Sequence, residues 1–334
     1  MNGTPKTLLL TRADLEPLMD PSRLIDAVEK AFRARSAGGS FGNAMIHGTT
    51  PGALEFHVKA GGLVWDDRLY YGLKANGSCF GNRESRGLPN ILGAILLFDG
   101  ESGYPLAILE STVLTRHRTA AGTAAALRRL APAGAGTAAI LGCGSQGRTH
   151  ARYLREVLPL AEIWAYDADP SAARAFAAAA AGDLSLPVHV AERPAEAASR
   201  SRVIVTCTPS RVPLLAKGDI RPGTTVAAVG ADSPDKQELE ARVLAGAKVV
   251  VDILDQCAAA GELHHAIAEG MMSRTDVHAE IGDIIAGLKP GRESDAETIV
   301  YDATGTALQD AAGAIVAYEE ARRRGVGRAL ELFA

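Results

Sequence analysis

The chain has 334 residues, 47% of them hydrophobic and 22% charged, with a net charge of -4. That length exceeds one ordinary core and predicts about two domains of a globular protein. No basic run and no apolar run of about 18 residues occurs, which argues against nucleic acid and membrane as partners.

The first six residues lack the apolar core of a signal peptide, and Leu8-Leu9-Leu10 reads as a first strand. Thr11 with Asp14 predicts a capping box, and Asp20-Pro21 an N-cap followed by a proline at the first helical position. Leu24, Ile25, Val28 and Phe32 form one apolar face, ended by Gly38-Gly39. Leu54, Phe56 and Val58 then alternate with Glu55, His57 and Lys59, the period of a strand. Segments 70–75, 91–98 and 104–110 continue a mixed, antiparallel block, with Asp99-Gly100-Glu101-Ser102-Gly103 as a hairpin turn.

A helix is expected over 119–130, then a small-residue break at 132–136. Beyond it the rhythm changes to short apolar strands at 137–141, 162–166, 188–190, 202–206, 224–229 and 248–252, with helices between them. Such alternation predicts a doubly wound parallel sheet. A helical tail over 306–333 is expected to pack back on the first domain. The fold class is α/β: a Rossmann domain over 131–305, and a mixed α+β substrate-binding and dimerisation domain from 1–130 with 306–334.

The first strand of the second block runs into Gly142-Cys143-Gly144-Ser145-Gln146-Gly147, followed by a helix-forming stretch from Gln146. A lone glycine triplet is a weak signal, but strand, loop and helix in that order make a dinucleotide site. Gly142 permits the turn, Gly144 lets the backbone approach the pyrophosphate, and Gly147 lets helix and strand pack closely. Asp167 ends the next strand, 25 residues after Gly142. A carboxylate there accepts hydrogen bonds from the ribose hydroxyls and repels a 2′-phosphate, favouring NAD over NADP. Two plainer readings stand beside it: Asp167 as a helix cap, or Asp169 as the functional acid. The loops after 202–206 and 224–229 leave the carboxyl ends of parallel strands, where ligands bind; the first also reads as an ordinary Ser/Thr/Pro turn.

Several segments in order now carry a resemblance: Gly72-Leu73-Lys74, Gly87-Leu88-Pro89-Asn90, Thr115-Arg116-His117-Arg118-Thr119-Ala120-Ala121, the glycine loop, the run from Gly230-Ala231-Asp232 to Lys236-Gln237-Glu238-Leu239, and Asp302-Ala303-Thr304-Gly305. From about residue 54 to the C-terminus the chain resembles the ornithine cyclodeaminase/mu-crystallin family. The resemblance implies a Rossmann domain inserted into a dimerising substrate domain, and hydride transfer between a nicotinamide and the α-carbon of an amino acid through an imine. It implies Lys74, Arg118 and Asp232 as catalytic residues. It places Asn90, Ser145, Gln146, Asp167, Thr208, Lys236 and Thr304 at or near the cofactor, beside Gly142, Gly144, Gly147, Arg118 and Val229.

The chemistry fits these residue types. A planar guanidinium grips a carboxylate at two points. A lysine shielded from water or set near another cation can manage a proton near neutral pH. A carboxylate such as Asp232 can orient an amine or activate water. Taken singly, Arg118 reads as a surface charge, Lys74 as a solvated strand residue and Asp232 as a turn former; the combination argues otherwise.

Cyclodeaminases of this family carry a substrate-binding arginine ahead of the lysine, yet residues 37–67 hold none. Lys59, with His57 on the same strand face, is the candidate replacement as a carboxylate ligand, and this puts ornithine as substrate in doubt. His117 is a second candidate for proton work. His264-His265 matches no metal spacing, and no metal site is read. The four cysteines, Cys79, Cys143, Cys207 and Cys257, form no CxxC pair and suggest free thiols in the cytoplasm. Three functions remain: an NAD-dependent amino-acid dehydrogenase or ketimine/imine reductase, an ornithine cyclodeaminase recycling NAD, and a non-catalytic crystallin-like binding protein. A homodimer is the expected assembly.

Overall fold

A computed structural model describes residues 6–50, 54–79 and 81–333; the first five residues, read above for a leader, lie outside it. The chain divides into two compact units, Met1–Arg118 with Thr306–Ala334, and Thr119–Gly305. The first unit opens with β1 (Thr7–Leu10), α1 (Arg12–Leu15), α2 (Pro21–Ser36), β2 (Ser40–Thr49), β3 (Glu55–Trp65), β4 (Arg68–Ser78), α3 (Asn82–Arg86), β5 (Ile91–Asp99) and β6 (Pro105–Glu110). Helix α4 (Ser111–Leu130) runs on into the second unit. There follow β7 (Thr137–Leu141), α5 (Ser145–Val157), β8 (Glu162–Tyr166), α6 (Pro170–Leu184), β9 (Val188–Val190), α7 (Pro194–Ser199), β10 (Val203–Thr206), β11 (Thr225–Ala228), α8 (Ala241–Leu244), β12 (Lys248–Val251), α9 (Leu254–Ala260), α10 (Glu262–Ala268), β13 (Ala279–Glu280), α11 (Ile281–Ile285) and β14 (Ile299–Asp302). The chain returns to the first unit through α12 (Ala307–Arg324) and β15 (Arg328–Leu330).

In the first unit the strands form one mixed sheet in the order β15-β1-β6-β5-β4-β3-β2. Strand β4 alternates cleanly, with Tyr70, Gly72, Lys74, Asn76 and Ser78 all buried on one face. Helix α12 lies against that face. A Cβ at Gly72 would stand 3.1 Å from the Cβ of Ala311, and one at Gly61 3.1 Å from that of Ala307. Small residues on both sides thus let helix and strands approach closely, which brings the polar residues of α12 within reach of the sheet. Two early caps form as expected: Thr11 with Asp14, and Asp20 accepting from the Arg23 amide over Pro21.

The second unit is a fully parallel sheet in the order β13-β12-β14-β11-β10-β7-β8-β9. From β7 the chain winds one way to β8 and β9, and the other way to β10 and β11. The switch point therefore falls between β7 and β10, where open α/β sheets bind ligands at the carboxyl ends.

Several features differ from the sequence expectation, among them β2 (Ser40–Thr49) and β13 (Ala279–Glu280), where no strand is expected. Strand β14 inserts between β11 and β12, where no strand is expected from the sequence. Helix α4 begins at Ser111 rather than 119, and its half from Thr119 belongs to the second unit, so the division falls at 118/119 rather than 130/131. Leu130 shows why: its carbonyl accepts from Thr225 Oγ1 and Arg292 Nε, both in the parallel-sheet unit. The tail helix stops at Arg324, with Gly325 at φ 66°, and becomes β15 against β1.

Among the described residues, no helix is long and apolar enough to cross a membrane.

Candidate active site

Cofactor-type features lie in the second unit. Strand β7 delivers Gly142 with φ 106°, a backbone conformation L side chains rarely adopt. A Cβ on Gly147 would overlap the carbonyl oxygen of Gly142, so α5 packs as tightly on its strand as the sequence required. At Gly144 nothing lies within 4 Å of where a Cβ would stand, so the backbone is open to an incoming group. Gly144 is also the N-cap of α5 and offers no side chain to its first amides. Those amides and the positive end of the helix suit a pyrophosphate. Beside them, Gln146 Oε1 is buried without a hydrogen-bond partner. The loop therefore fits a dinucleotide by shape and by its unspent hydrogen-bonding groups.

Asp167 and Asp169 separate cleanly. Asp169 is the N-cap of α6, accepting from Ser171, with Pro170 at the first helical position. Asp167 instead turns toward the glycine loop: its Oδ2 accepts from the Cys143 amide at 2.8 Å, and its Oδ1 from the Asp169 amide. Its carboxylate stands at the end of β8, where a ribose diol would be met.

The loops after β10 and β11 share one anchor that the sequence reading left unassigned. Buried Glu238 accepts from Thr206 Oγ1 (2.7 Å), the Thr208 amide (2.6 Å), Thr208 Oγ1 (2.8 Å) and the Gly230 amide (2.9 Å). Burial raises its pKa, and these four donors pull it back only in part. Val229 donates its amide to Thr206, closing the same junction. Three of the four contacts of Glu238 come from residues 30 or more positions earlier and the fourth from a backbone amide, so no local motif signals its role.

Asp232 and Lys236 form an ion pair at 2.6 Å, one helical turn apart in sequence. Thr304 is buried and bonds Asp252 and Gln256 through its hydroxyl, while the adjoining Gly305 amide bonds Asp252 Oδ2 at 2.7 Å.

The first unit holds a separate, strongly charged cluster. Lys74 Nζ lies 2.8 Å from Asp310 Oδ2, and Arg118 Nε lies 2.9 Å from Asp310 Oδ1. Arg118 also donates Nη1 to Gln309 Oε1 at 3.1 Å. Lys59 is the cross-strand neighbour of Lys74, so the two share a face of the sheet. All four ionic side chains are buried, at 1–4% exposure. Burial holds the Lys74 ammonium down to a pKa of about 7; Arg118 and Lys59 push the same way, and Asp310 opposes them. For Asp310 burial acts upward, but Arg118, Lys74 and Lys59 outweigh it and the net shift is downward.

Local structure explains how Asp310 arrives there. Thr306 caps α12 by accepting the Gln309 amide, and Gln309 Oε1 accepts the Thr306 amide in return. The same Oε1 receives Arg118, so the capping box fixes both the helix start and the guanidinium. Neither Asp310 nor Gln309 was singled out from the sequence. A capping box at 306–309 was legible in principle, but nothing in one sequence says what α12 packs against.

The other candidates are placed differently. His117 is buried on α4 with its Nε2 4.0 Å from Glu16 Oε2, so its charge contact is with Glu16. His57 faces Glu55 and His47 rather than Asp310. Asn90 closes the α3 turn, its carbonyl accepting from the Cys79 amide at 2.8 Å.

A model of the ornithine cyclodeaminase/mu-crystallin family matches residues 5–325. Among solved structures, an archaeal alanine dehydrogenase dimer with bound NAD is 38% identical, covers 98% of this chain and 100% of that one, and superposes with a TM-score of 0.92. The Δ1-pyrroline-2-carboxylate reductase of Thermococcus litoralis, solved with NADH and L-proline, is 30% identical over 96% and 99% of the two chains, with a TM-score of 0.91. The iminosuccinate reductase of Paracoccus denitrificans, solved with NAD+, is 30% identical over 98% and 100%, also with a TM-score of 0.91.

Proposed function

The chain belongs to the ornithine cyclodeaminase/mu-crystallin family, and from that premise we propose that it is an NAD-dependent oxidoreductase acting between an amino acid and its imine. The observation that carries this reading is the buried set of Lys59, Lys74 and Arg118 around Asp310. Such a set suits a small substrate with a carboxylate and an amine, because burial strengthens every charge interaction in it.

NAD supplies the hydride acceptor or donor. In the oxidative direction the α-carbon gives up its hydrogen as hydride, the C–N bond becomes an imine, and one amine proton leaves. Lys74, with a pKa of about 7, is matched to take that proton near neutral pH and to return it in the reductive direction. Arg118 and Lys59 hold the substrate carboxylate, the first as a planar fork and the second as a point charge. Asp310 and Gln309 keep Arg118 from turning away. Asp167 favours NAD by accepting from the ribose hydroxyls and repelling a 2′-phosphate. Gly142, Gly144, Ser145, Gln146 and Gly147 cradle the pyrophosphate; Thr208, Val229, Lys236, Thr304 and Asn90 complete the proposed cofactor contacts.

Two further parts of the reading are assembly and compartment. Ile46 on β2, Phe56 on β3 and Leu92 on β5 share the sheet face opposite Lys59 and Lys74, at 63%, 46% and 38% exposure. An exposed apolar sheet face of this kind suits a second copy of the chain. All four cysteines are free thiols, which supports the cytoplasm.

The test is a panel assay. Purified protein is given NADH with ammonia or methylamine and a set of 2-oxo acids and cyclic imines, and the NADH absorbance is followed. Loss of NADH with one of these substrates is the expected result. Ammonia and proline from ornithine, without net change in NADH, would instead establish a cyclodeaminase using Asp232. Tight NADH binding with neither reaction would make the chain a binding protein.

A further inference from the structure

Beyond the ionic cluster, the same sheet face carries a second group of donors. Three residues of the hairpin end, His47 on β2 with Glu55 and His57 on β3, bring one ligand-type atom each to within 4.8 Å of one another. His47 and His57 are directly opposite in the β2–β3 ladder, with ring centroids 4.4 Å apart. Glu55 lies two residues before His57 and so on the same face; its Oε2 stands 3.4 Å from His57 Nε2. The three are exposed or half-buried, open to an ion from solvent.

We propose that His47, Glu55 and His57 form a binding site for a divalent cation of the borderline class, such as Zn2+, Co2+ or Ni2+. Two imidazoles and one carboxylate are the donor set those ions prefer, whereas Mg2+ and Ca2+ take oxygen. Cross-strand geometry supplies the convergence. Directly opposed residues have Cβ atoms about 5 Å apart, and a diagonal pair such as His47 and Glu55 about 7–8 Å, a span that the longer Glu side chain covers. A small rotamer adjustment then brings the donors to the ~2.0–2.2 Å metal distances of such sites. Sequence spacing gave no hint of this, because the donors converge only through the strand register.

Three protein ligands leave at least one coordination position for water or an incoming donor. The row holding His47, His57 and Asn76 adjoins the row holding Met45, Lys59 and Lys74, and two residues along a strand span about 6.6 Å. The open position therefore falls on the face that carries Lys59. The nearby lysines oppose a dication electrostatically, so the site is an exchangeable one rather than a permanent structural centre.

The experiment needs no catalytic readout. Untagged full-length protein, freed of metal with a chelator, is titrated with Co2+ while the visible d–d absorbance is followed, and Zn2+ is then used to displace it. The expected result is one equivalent per chain, removed by Zn2+. His47→Ala and His57→Ala should each weaken Co2+ binding by roughly tenfold or more, since each removes one of three donors, and Glu55→Gln should weaken it less. Unchanged far-UV circular dichroism and unchanged NADH binding show that the variants fold. Absence of a cobalt band up to millimolar Co2+ would overturn the proposal. So would one equivalent bound with undiminished affinity by the His47→Ala/His57→Ala double variant.

Discussion

Lys74 and Asp310 meet in a buried ion pair, Nζ to Oδ2 at 2.8 Å, formed by a strand near the start of the chain and a helix near its end. Its energetics differ from those of a surface pair. Both charges have lost their water, so each depends on the other and on Arg118 for compensation.

Replacing Asp310 tests that dependence. Asp310→Asn keeps the shape but leaves Lys74 and Arg118, both buried, without their shared carboxylate. Breaking a buried pair by removing one partner costs about 3–5 kcal/mol, so urea unfolding should show a loss of that order. Removing Asp310 also withdraws the influence that raises the Lys74 pKa, so any remaining activity should have its pH break shifted to lower pH. A variant of native stability and unaltered pH profile would show that the pair is ornamental.

The pH dependence follows from Lys74, whose pKa sits at about 7 in the folded chain against 10.5 ordinarily. In the oxidative direction it must be neutral to accept a proton, so kcat/KM should rise with pH through about 7 and then level. In the reductive direction it must be charged, so kcat/KM should fall above about 7. Stability has a matching sign. Between about 7 and 10.5 the unfolded chain binds the proton that the folded chain has released, so the contribution of Lys74 makes stability increase with pH in that window. Initial rates in both directions from pH 5.5 to 9.5 check the first part; pH-dependent urea melts, compared with Lys74→Met, check the second.

Lys59 is proposed to hold the substrate carboxylate. Lys59→Met should raise KM for the acid substrate by roughly 10- to 100-fold, the loss of one charge-assisted hydrogen bond of about 1.5–3 kcal/mol, with NADH affinity unchanged. A variant whose KM is intact rules out that role.

Asp167 should govern cofactor choice. Asp167→Ser removes the carboxylate that repels a 2′-phosphate and the acceptor for the ribose hydroxyls. It also removes the 2.8 Å contact to the Cys143 amide. NADH affinity should fall about tenfold or more on the same hydrogen-bond scale, and the preference for NADH over NADPH should shrink or reverse. Fluorescence titration with both reduced dinucleotides measures this directly.

Much of the second unit was legible from the sequence because its signals are local. A short apolar strand, three spaced glycines and a helix start occupy a few consecutive residues, and the close packing of Gly147 on Gly142 lies inside that stretch, although Gly142 itself also abuts Cys207 and Thr208. The β–α alternation likewise implied a parallel sheet before any strand order was known. Strand β14 is not expected from the sequence although it is as short and as buried as β10 and β11, which are.

The charged cluster was legible only in part. Lys59, Lys74 and Arg118 could be named as candidates, but their burial, the shared carboxylate and the lowered Lys74 pKa depend on α12 settling over β3 and β4 through Gly61, Gly72, Ala307 and Ala311. The same holds for His47, which meets His57 through strand register alone. Sequence by itself determined which residue types were available and where the chain turns. Tertiary packing decided which charges meet and in what dielectric, because a pKa and an ion pair depend on neighbours that the chain brings together from distant positions.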